Sequence, residues 1–296
     1  MDAQFDDYFL VTPVKNESSM LEGLFRSVTG QTKKPLLWVV GDDGSSDDCL
    51  AKAKDLAKGH SWISVVSRHV NPDPSWLKCG SAARFGIDEA FAIARSKLLK
   101  SKYLAVLDAD TTVEPKYFEL LVSAMEVNAK AVIASGMITT EGGGALEKKP
   151  SARGCARLYR LSFLDEVGGF PITASTDTVL EIKAMNRGLE FVVVNEATGL
   201  HRRKSSQIAG GTGLRSRGVI RYVLGMDFIS AIMWAFVYAR AAGCRASMGF
   251  FAGYIEGVRR RYPKIQDPEV RKFYSGSWRR FVSRSATRTA IQDLLK

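Results

Sequence analysis

The run Tyr103-Leu104-Ala105-Val106-Leu107-Asp108-Ala109-Asp110-Thr111-Thr112 decides how the rest of the chain is read. Its uncharged start fits a strand covered on both faces, as in a sheet with helices on either side. The run then stops in two carboxylates one residue apart, followed by two hydroxyls. Open α/β sheets keep their ligand crevice beyond the carboxyl ends of their strands, which is where these acids fall. Carboxylates so close repel unless a cation, water or hydrogen-bond donors compensate them. A divalent cation held by carboxylate oxygen, itself gripping phosphate, is the simplest functional reading. A solvated acidic turn closing a strand is the plainer one.

The same punctuation occurs upstream. Leu36-Leu37-Trp38-Val39-Val40 runs into Gly41-Asp42-Asp43-Gly44-Ser45-Ser46-Asp47-Asp48, where Ser45 and Asp48 have capping-box spacing ahead of a helix over 51–57. Phe9-Leu10-Val11 leads into the loop Thr12-Pro13-Val14-Lys15-Asn16-Glu17 and a helix over 18–28, and a third strand covers 63–66. Strands alternating with helices imply βαβ units and a parallel sheet. Residues 69–76, with their prolines, form a loop long enough to lie over a site. Lys78 and Arg84 stand near the start of the next helix, where backbone N–H groups favour phosphate; both would equally serve as surface charges.

Downstream, Pro115 suits the first turn of a helix over 116–128, and a strand follows at 131–135. Residues 139–152, with Gly142-Gly143-Gly144, read as a loop able to close over substrate. Asp177 opens a helix with Val179, Ile182 and Met185 on one face, and Phe191-Val192-Val193-Val194 is a further strand.

At 296 residues, 46% hydrophobic and 25% charged, the chain suffices for one large α/β domain plus an appendage and is not disordered. Its net charge of +11 is uneven: residues 240–296 hold 13 Lys/Arg against 4 Asp/Glu, a local balance of +9. Such an excess suits phospholipid headgroups, nucleic acid or a phosphorylated acceptor, or is simply a solvated basic face. The four cysteines form no Cys-x-x-Cys pair, so neither a disulfide framework nor a zinc site is expected, in keeping with a reducing cytosol. The acidic start Met1-Asp2-Ala3-Gln4-Phe5-Asp6-Asp7 lacks the basic and apolar regions of a secretory signal.

Thr12-Pro13-Val14-Lys15-Asn16-Glu17, Asp42-Asp43-Gly44-Ser45-Ser46-Asp47, Ala83-Arg84-Phe85-Gly86, Asp108-Ala109-Asp110, Gly168-Gly169-Phe170 and Asp177-Thr178-Val179-Leu180 follow one another in a familiar order. Through them, over roughly residues 8–203, the chain resembles the inverting family 2 glycosyltransferases of the GT-A fold. The resemblance implies an α/β, Rossmann-like, mostly parallel sheet flanked by helices in residues 1–205, with a basic, apolar-rich helical region in 206–296. It implies transfer of a sugar from a UDP- or GDP-linked donor to a hydroxyl acceptor. Pro13, Asn16, Glu17, Asp42 and Asp43 would hold base and ribose, since a carboxylate accepting from an imide N–H is a specific contact. Asp108, with Ala109, would face the ribose and the metal's surroundings, and Lys78 and Arg84 would approach the diphosphate.

The resemblance makes Asp110 the ligand of Mn2+ or Mg2+, with His201 as a further ligand. Residues 151–170 match the segment lining sugar and acceptor. Asp177 falls where the family carries the general base that deprotonates the acceptor hydroxyl. Thr176 departs from the acidic residue usual before that base, and Val179 from the Asp that often follows. Arg202-Arg203-Lys204 and Arg215-Ser216-Arg217 could reach the diphosphate on loop closure. The Gln-x-x-Arg-Trp motif of polymer synthases is absent, which argues against processive synthesis.

Residues 228–239 are the longest uncharged apolar run, extending as a helix about 18 Å against about 30 Å of hydrocarbon, too short to span. With Met248-Gly249-Phe250-Phe251 and Arg259-Arg260-Arg261 they suit in-plane contact with a membrane surface, or packing on the catalytic domain or a second subunit. The tail from 267, including Trp278-Arg279-Arg280-Phe281, reads as helical. The expected location is cytoplasmic, free or peripheral on the membrane, and the acceptor lipid-linked or a surface glycan. A sugar-phosphate nucleotidyltransferase would share the sheet and acids but needs a Gly-rich loop after the first strand, and Thr12 to Glu17 contain no glycine. A nucleic-acid-binding scaffold leaves the strand-end acids unexplained, so no nucleic acid is expected as partner.

Overall fold

Eight strands form the sheet: β1 (Tyr8–Val14), β2 (Leu37–Asp42), β3 (Ile63–Ser67), β4 (Tyr103–Leu107), β5 (Thr111–Val113), β6 (Ala131–Thr140), β7 (Ala156–Arg160) and β8 (Glu190–His201). They belong to a computed structural model that describes residues 8–69, 74, 76–141, 154–202 and 211–277. The strand order is β3-β2-β1-β4-β7-β6-β8-β5. From β3 to β4 the strands are parallel, as are β6 and β8; β7 runs against both its neighbours and β5 against β8. The sheet is thus mixed, with a parallel half built from the alternating βαβ sequence.

Each face is covered. Leu10, Trp38 and Leu107 pack with helices α1 (Leu21–Thr29), α2 (Cys49–Leu56) and α4 (Tyr117–Val127). Val11, Val39 and Val106 pack with α3 (Lys78–Ser96), α5 (Leu161–Glu166) and α6 (Thr176–Asn186). Burial on both sides is why these strands are apolar without alternation. The Trp38 indole N–H donates to Thr12 Oγ1 at 3.0 Å, satisfying a polar group inside this core.

The β4–β5 connection dictates the sheet's shape. On a flat sheet β4 and β5 would stand four strand spacings, about 19 Å, apart. The chain from Leu107 to Thr111 reaches at most about 14 Å. The sheet therefore curls, bringing the far edge of β8 and β5 back over the end of β4, and Asp108 to Asp110 bridge the gap. A bulge in β8 assists: Gly136 pairs with Val194 and Met137 with Thr198, so three residues of β8 loop out. A Cβ on Gly136 would stand 2.1 Å from the Ala197 carbonyl oxygen and 2.5 Å from the Tyr117 ring, so this position requires glycine.

Among the described residues four helices follow: α7 (Gly211–Val223), α8 (Phe228–Ala242), α9 (Cys244–Arg259) and α10 (Pro268–Tyr274). Leu224, Trp234, Tyr238, Phe250 and Tyr254 make their own core, which Val179 and Ile182 of α6 join. Among the described residues no helix is long and apolar enough to cross a membrane. Cys49 and Cys155 are buried, Cys79 and Cys244 exposed, and all four are free thiols.

Several expectations need correction. Ser45 does not cap α2; its backbone N–H and hydroxyl both serve Asp42, and the helix starts at Cys49, whose N–H donates to Asp47 Oδ1 at 3.1 Å. The strand expected over 131–135 runs to Thr140, because β8 continues beside it, so the following loop starts later. Strands β5 and β7 were not expected; both are short and their pairing is set by the curl. Met185 is exposed, unlike Val179 and Ile182. Gly142 to Gly144, Arg203, Lys204 and Trp278 to Phe281 lie outside the described residues.

Candidate active site

Strand directions place the polar residues together. The carboxyl ends of β1, β2, β3, β4 and β8 and the amino ends of β7 and β5 all fall on one edge of the sheet. Lys15 and Asn16, Asp42 and Asp43, Arg68, Asp108 to Asp110, Gly154 and His201 line that edge in consequence.

At the β2 end, Asp42 is 2% exposed and accepts from Ser45 Oγ at 2.5 Å and Ser45 N at 3.3 Å. Asp43, 5% exposed, faces Arg68 Nε at 2.7 Å and Lys15 Nζ at 3.6 Å. The Arg68 guanidinium also donates to Ser81 Oγ at 2.9 Å and lies over the Phe85 ring, which ties β3 to α3. Asn16, with φ +55°, donates its N–H to Ser45 Oγ at 2.9 Å and accepts from Ser46 N at 2.7 Å. Asn tolerates this left-handed geometry, and the loops after β1 and β2 lock together through it. Pro13 lies within β1 opposite Gly41, and the Glu17 carbonyl accepts from Met20 N at 2.8 Å at the start of α1.

At the β4 end, Asp108 N donates to the Cys155 carbonyl at 2.8 Å and its own carbonyl accepts from Thr111 N at 3.1 Å. Ala109 turns its methyl into the apolar core, which sends Asp110 back to the sheet edge. The curl now pairs Thr111 with His201 across β5 and β8. Asp110 Oδ1 lies 3.4 Å from His201 Nε2, and the Asp110 carbonyl accepts from Arg202 N at 2.7 Å. A carboxylate and an imidazole brought this close have the donor atoms to hold a divalent cation. Among the described residues no cluster of three or more His, Cys, Asp or Glu closes a cage. Asp110 and His201 are the two side chains here that would hold such an ion, with its remaining ligands supplied from outside the protein.

Asp177 sits in the first turn of α6, 37% exposed, with Oδ2 3.7 Å from Arg157 Nη2. Arg84 is engaged elsewhere, with Asp88 at 2.8 Å and the Phe170 carbonyl at 3.0 Å, fastening α3 to the turn at Gly168 and Gly169. Lys78 is exposed at the first residue of α3.

The sequence places Lys15 and Arg157 inside segments expected at the site without singling them out, and Arg68 in none of them. Arg157 had a signal: an arginine inside the apolar strand Ala156-Arg157-Leu158-Tyr159, with acids at 177 and 181 spaced for one helix face. For Arg68 and Lys15 there was none, since surface cations look alike in sequence.

Residues 9–173 match the sequence profile of glycosyl transferase family 2. No curated protein sequence matches significantly. Among solved structures, S. aureus TarS 1–349 is similar with a TM-score of 0.51 at 13% identity over 86% of this chain and 73% of that one. Mannosyltransferase PcManGT from Pyrobaculum calidifontis, solved with GDP-Man and Mn2+, gives 0.52 at 13% identity over 97% and 84%. GalNAc-T7, solved with UDP, GalNAc and Mn2+, gives 0.54 at 15% identity over 90% of this chain and 60% of that one. At such identities the likeness is one of fold.

Proposed function

The chain belongs to glycosyl transferase family 2, and from that premise we propose a metal-dependent, inverting glycosyltransferase that uses a UDP- or GDP-linked sugar and a hydroxyl acceptor. The observation that carries this reading is the meeting of Asp110, in the bridge after β4, and His201, at the end of β8, at 3.4 Å on the edge that also holds Asp42 and Asp43.

In this reading the nucleoside lies along the edge from β2 to β4, two strand spacings or about 10 Å. Asp42 and Asp43, ordered by Ser45, Lys15 and Arg68, accept from base and ribose, with Pro13, Asn16 and Glu17 beside them. Asp108 and the Ala109 backbone border the ribose. Asp110 and His201 hold Mn2+ or Mg2+, which when bound neutralises charge developing on the departing diphosphate. Lys78 and Arg84 remain candidates for the diphosphate if their side chains reorient. Asp177 takes the proton from the acceptor hydroxyl as that oxygen attacks the anomeric carbon from the face opposite the leaving group.

In this reading the helices of residues 211–277 form the acceptor side. Ile229, Phe236 and Met248 are exposed on α8 and α9, with the exposed Arg240 and Arg245 near the turn between these helices. Apolar groups beside arginines favour an anionic membrane surface and a lipid-linked acceptor or surface glycan. The same face could meet a second copy of the chain, which sedimentation with and without anionic vesicles distinguishes.

Thermal-shift titration with UDP and GDP, with and without Mn2+, tests the donor reading, because ligands that bind the native state raise its melting temperature. One nucleotide is expected to stabilise the protein, more so with Mn2+, and Asp110→Ala to lose the Mn2+ increment. Stabilisation by neither nucleotide would overturn it.

A further inference from the structure

Arg157 lies in mid-sheet, in β7 between Val106 of β4 and Ser135 of β6, with 2% of its side chain exposed. A buried guanidinium is tolerated only when paired. Its acidic partners come from one helix. Nη2 is 2.7 Å from Glu181 Oε1 and 3.7 Å from Asp177 Oδ2, while the guanidinium lies 4.9 Å from the Phe191 ring centroid. Asp177 and Glu181 are four residues apart in α6 and so share its sheet-facing side.

We propose that Arg157 is a positioning residue for Asp177, steering this carboxylate through a guanidinium that it shares unequally with Glu181. The inference rests on the reading of Asp177 as general base. Were the guanidinium closed on Asp177 in a two-pronged pair, the carboxylate would be held as a salt bridge and be a poor proton acceptor. Glu181 takes the short contact instead, and Asp177 is guided while its side chain stays 37% exposed.

Two further features confine the same carboxylate. A Cβ on Gly154 would stand 2.6 Å from Asp177 Oδ2, so the segment leading into β7 is bare where the acid passes. Ser175, just before α6, has φ +52°, a left-handed conformation costly for a non-glycine residue. Beside it Thr176 Oγ1 donates toward the Pro171 and Thr173 carbonyls at 3.2 and 3.1 Å, fixing the turn. Asp177 is thus bounded by Arg157 beneath, Gly154 alongside and a constrained turn before it.

The test pairs Arg157→Met with Glu181→Gln, so that no buried charge is left alone, and compares it with Glu181→Gln by itself. The assay is Mn2+-dependent hydrolysis of UDP-glucose and GDP-mannose, beside calorimetric binding of UDP and GDP. The double variant is expected to keep its melting temperature, nucleotide affinity and donor KM while kcat falls about 10²-fold, the scale of a misplaced catalytic group. Glu181→Gln alone is expected to lower kcat as well, because the guanidinium then closes on Asp177. Arg157→Lys, which keeps the charge without the fork, is expected to fold and retain an intermediate kcat at unchanged KM.

Wild-type kcat in the double variant, or in Arg157→Lys should the former not fold, overturns the inference. So does a loss of kcat matched by equal loss of nucleotide affinity. Asp177→Asn separates the two readings: if it remains active the base assignment falls, and if it is inactive while the double variant is fully active, only the role of Arg157 falls. In crystals of the double variant Asp177 should leave its place beside Gly154. An unmoved Asp177 overturns the inference whatever the assay shows.

Discussion

Asp43, just past β2, has two cations against its carboxylate, Arg68 at 2.7 Å and Lys15 at 3.6 Å. Asp110, just past β4, faces the imidazole of His201 at 3.4 Å. Both are carboxylates almost wholly buried at the end of a parallel strand, and their neighbours differ. A carboxylate answered by fixed cations is a stable hydrogen-bond acceptor for polar groups of a ligand. A carboxylate beside an imidazole, which offers a lone pair when unprotonated, would hold a metal ion under the proposed function. Residue type and strand position are shared; the neighbours that tertiary structure delivers decide the role.

Asp110→Asn should separate the two tips most sharply. Mn2+-dependent turnover should fall by about 10²-fold or more, the scale of losing one transition-state charge contact. UDP or GDP binding measured without metal should be kept. Equal loss of both would erase the distinction.

Gly136→Ala probes how His201 reaches Asp110. The added methyl meets the Ala197 carbonyl and the Tyr117 ring, so β8 must shift, at about 2 kcal/mol of stability by denaturant unfolding. The Mn2+ increment in thermal shift should shrink with it. An unaltered increment would mean that the bulge does not place His201.

Arg68→Leu acts on the other tip. Losing this charged hydrogen bond from Asp43 should cost about 1.5 kcal/mol of stability and weaken nucleotide binding, with Mn2+ affinity preserved. A change in Mn2+ affinity would show the two tips to be coupled.

The smallest effect is expected at a third acid, Asp267, which has a structural pairing and no place at the sheet edge. Lys183 Nζ lies 2.5 Å from its carboxylate and joins α6 to α10. Burial pushes this carboxyl up, but the Lys183 hydrogen bond and the amides of Val270 and Glu269 outweigh it, so its pKa is lowered. A lowered folded pKa adds stability above the unfolded value, near about 4, and that stability is lost as pH falls through the folded pKa. Lys183→Met should therefore destabilise by about 1 kcal/mol or less at neutral pH, and its difference from wild type should fade in acid. Persistence of the full difference in acid would remove Asp267 from the account.

Much of the edge was legible because strand ends announce themselves. An apolar run broken by Asp42 or Asp108 states where a strand stops, and parallel strands bring such stops to one side of a sheet. Short strands were not legible. Thr111 to Val113 carries too few residues for a period, and in Ala156 to Arg160 the arginines at 157 and 160, three apart, break both an apolar run and a two-residue alternation. Ser45 misled for a related reason: capping-box spacing is local, and the stronger partner was Asp42.

The sequence by itself determined the βαβ order, the apolar runs of β1, β2 and β4 and the acids that end β2 and β4, because periodicity and chain punctuation are local properties. Tertiary structure alone decided that a three-residue bridge would curl the sheet, that this curl would set His201, which the family resemblance links to Asp110, 3.4 Å from it, and that Arg157 would lie beneath Asp177. Those meetings join residues tens of positions apart, and strand order and register, which no local pattern specifies, set their distances.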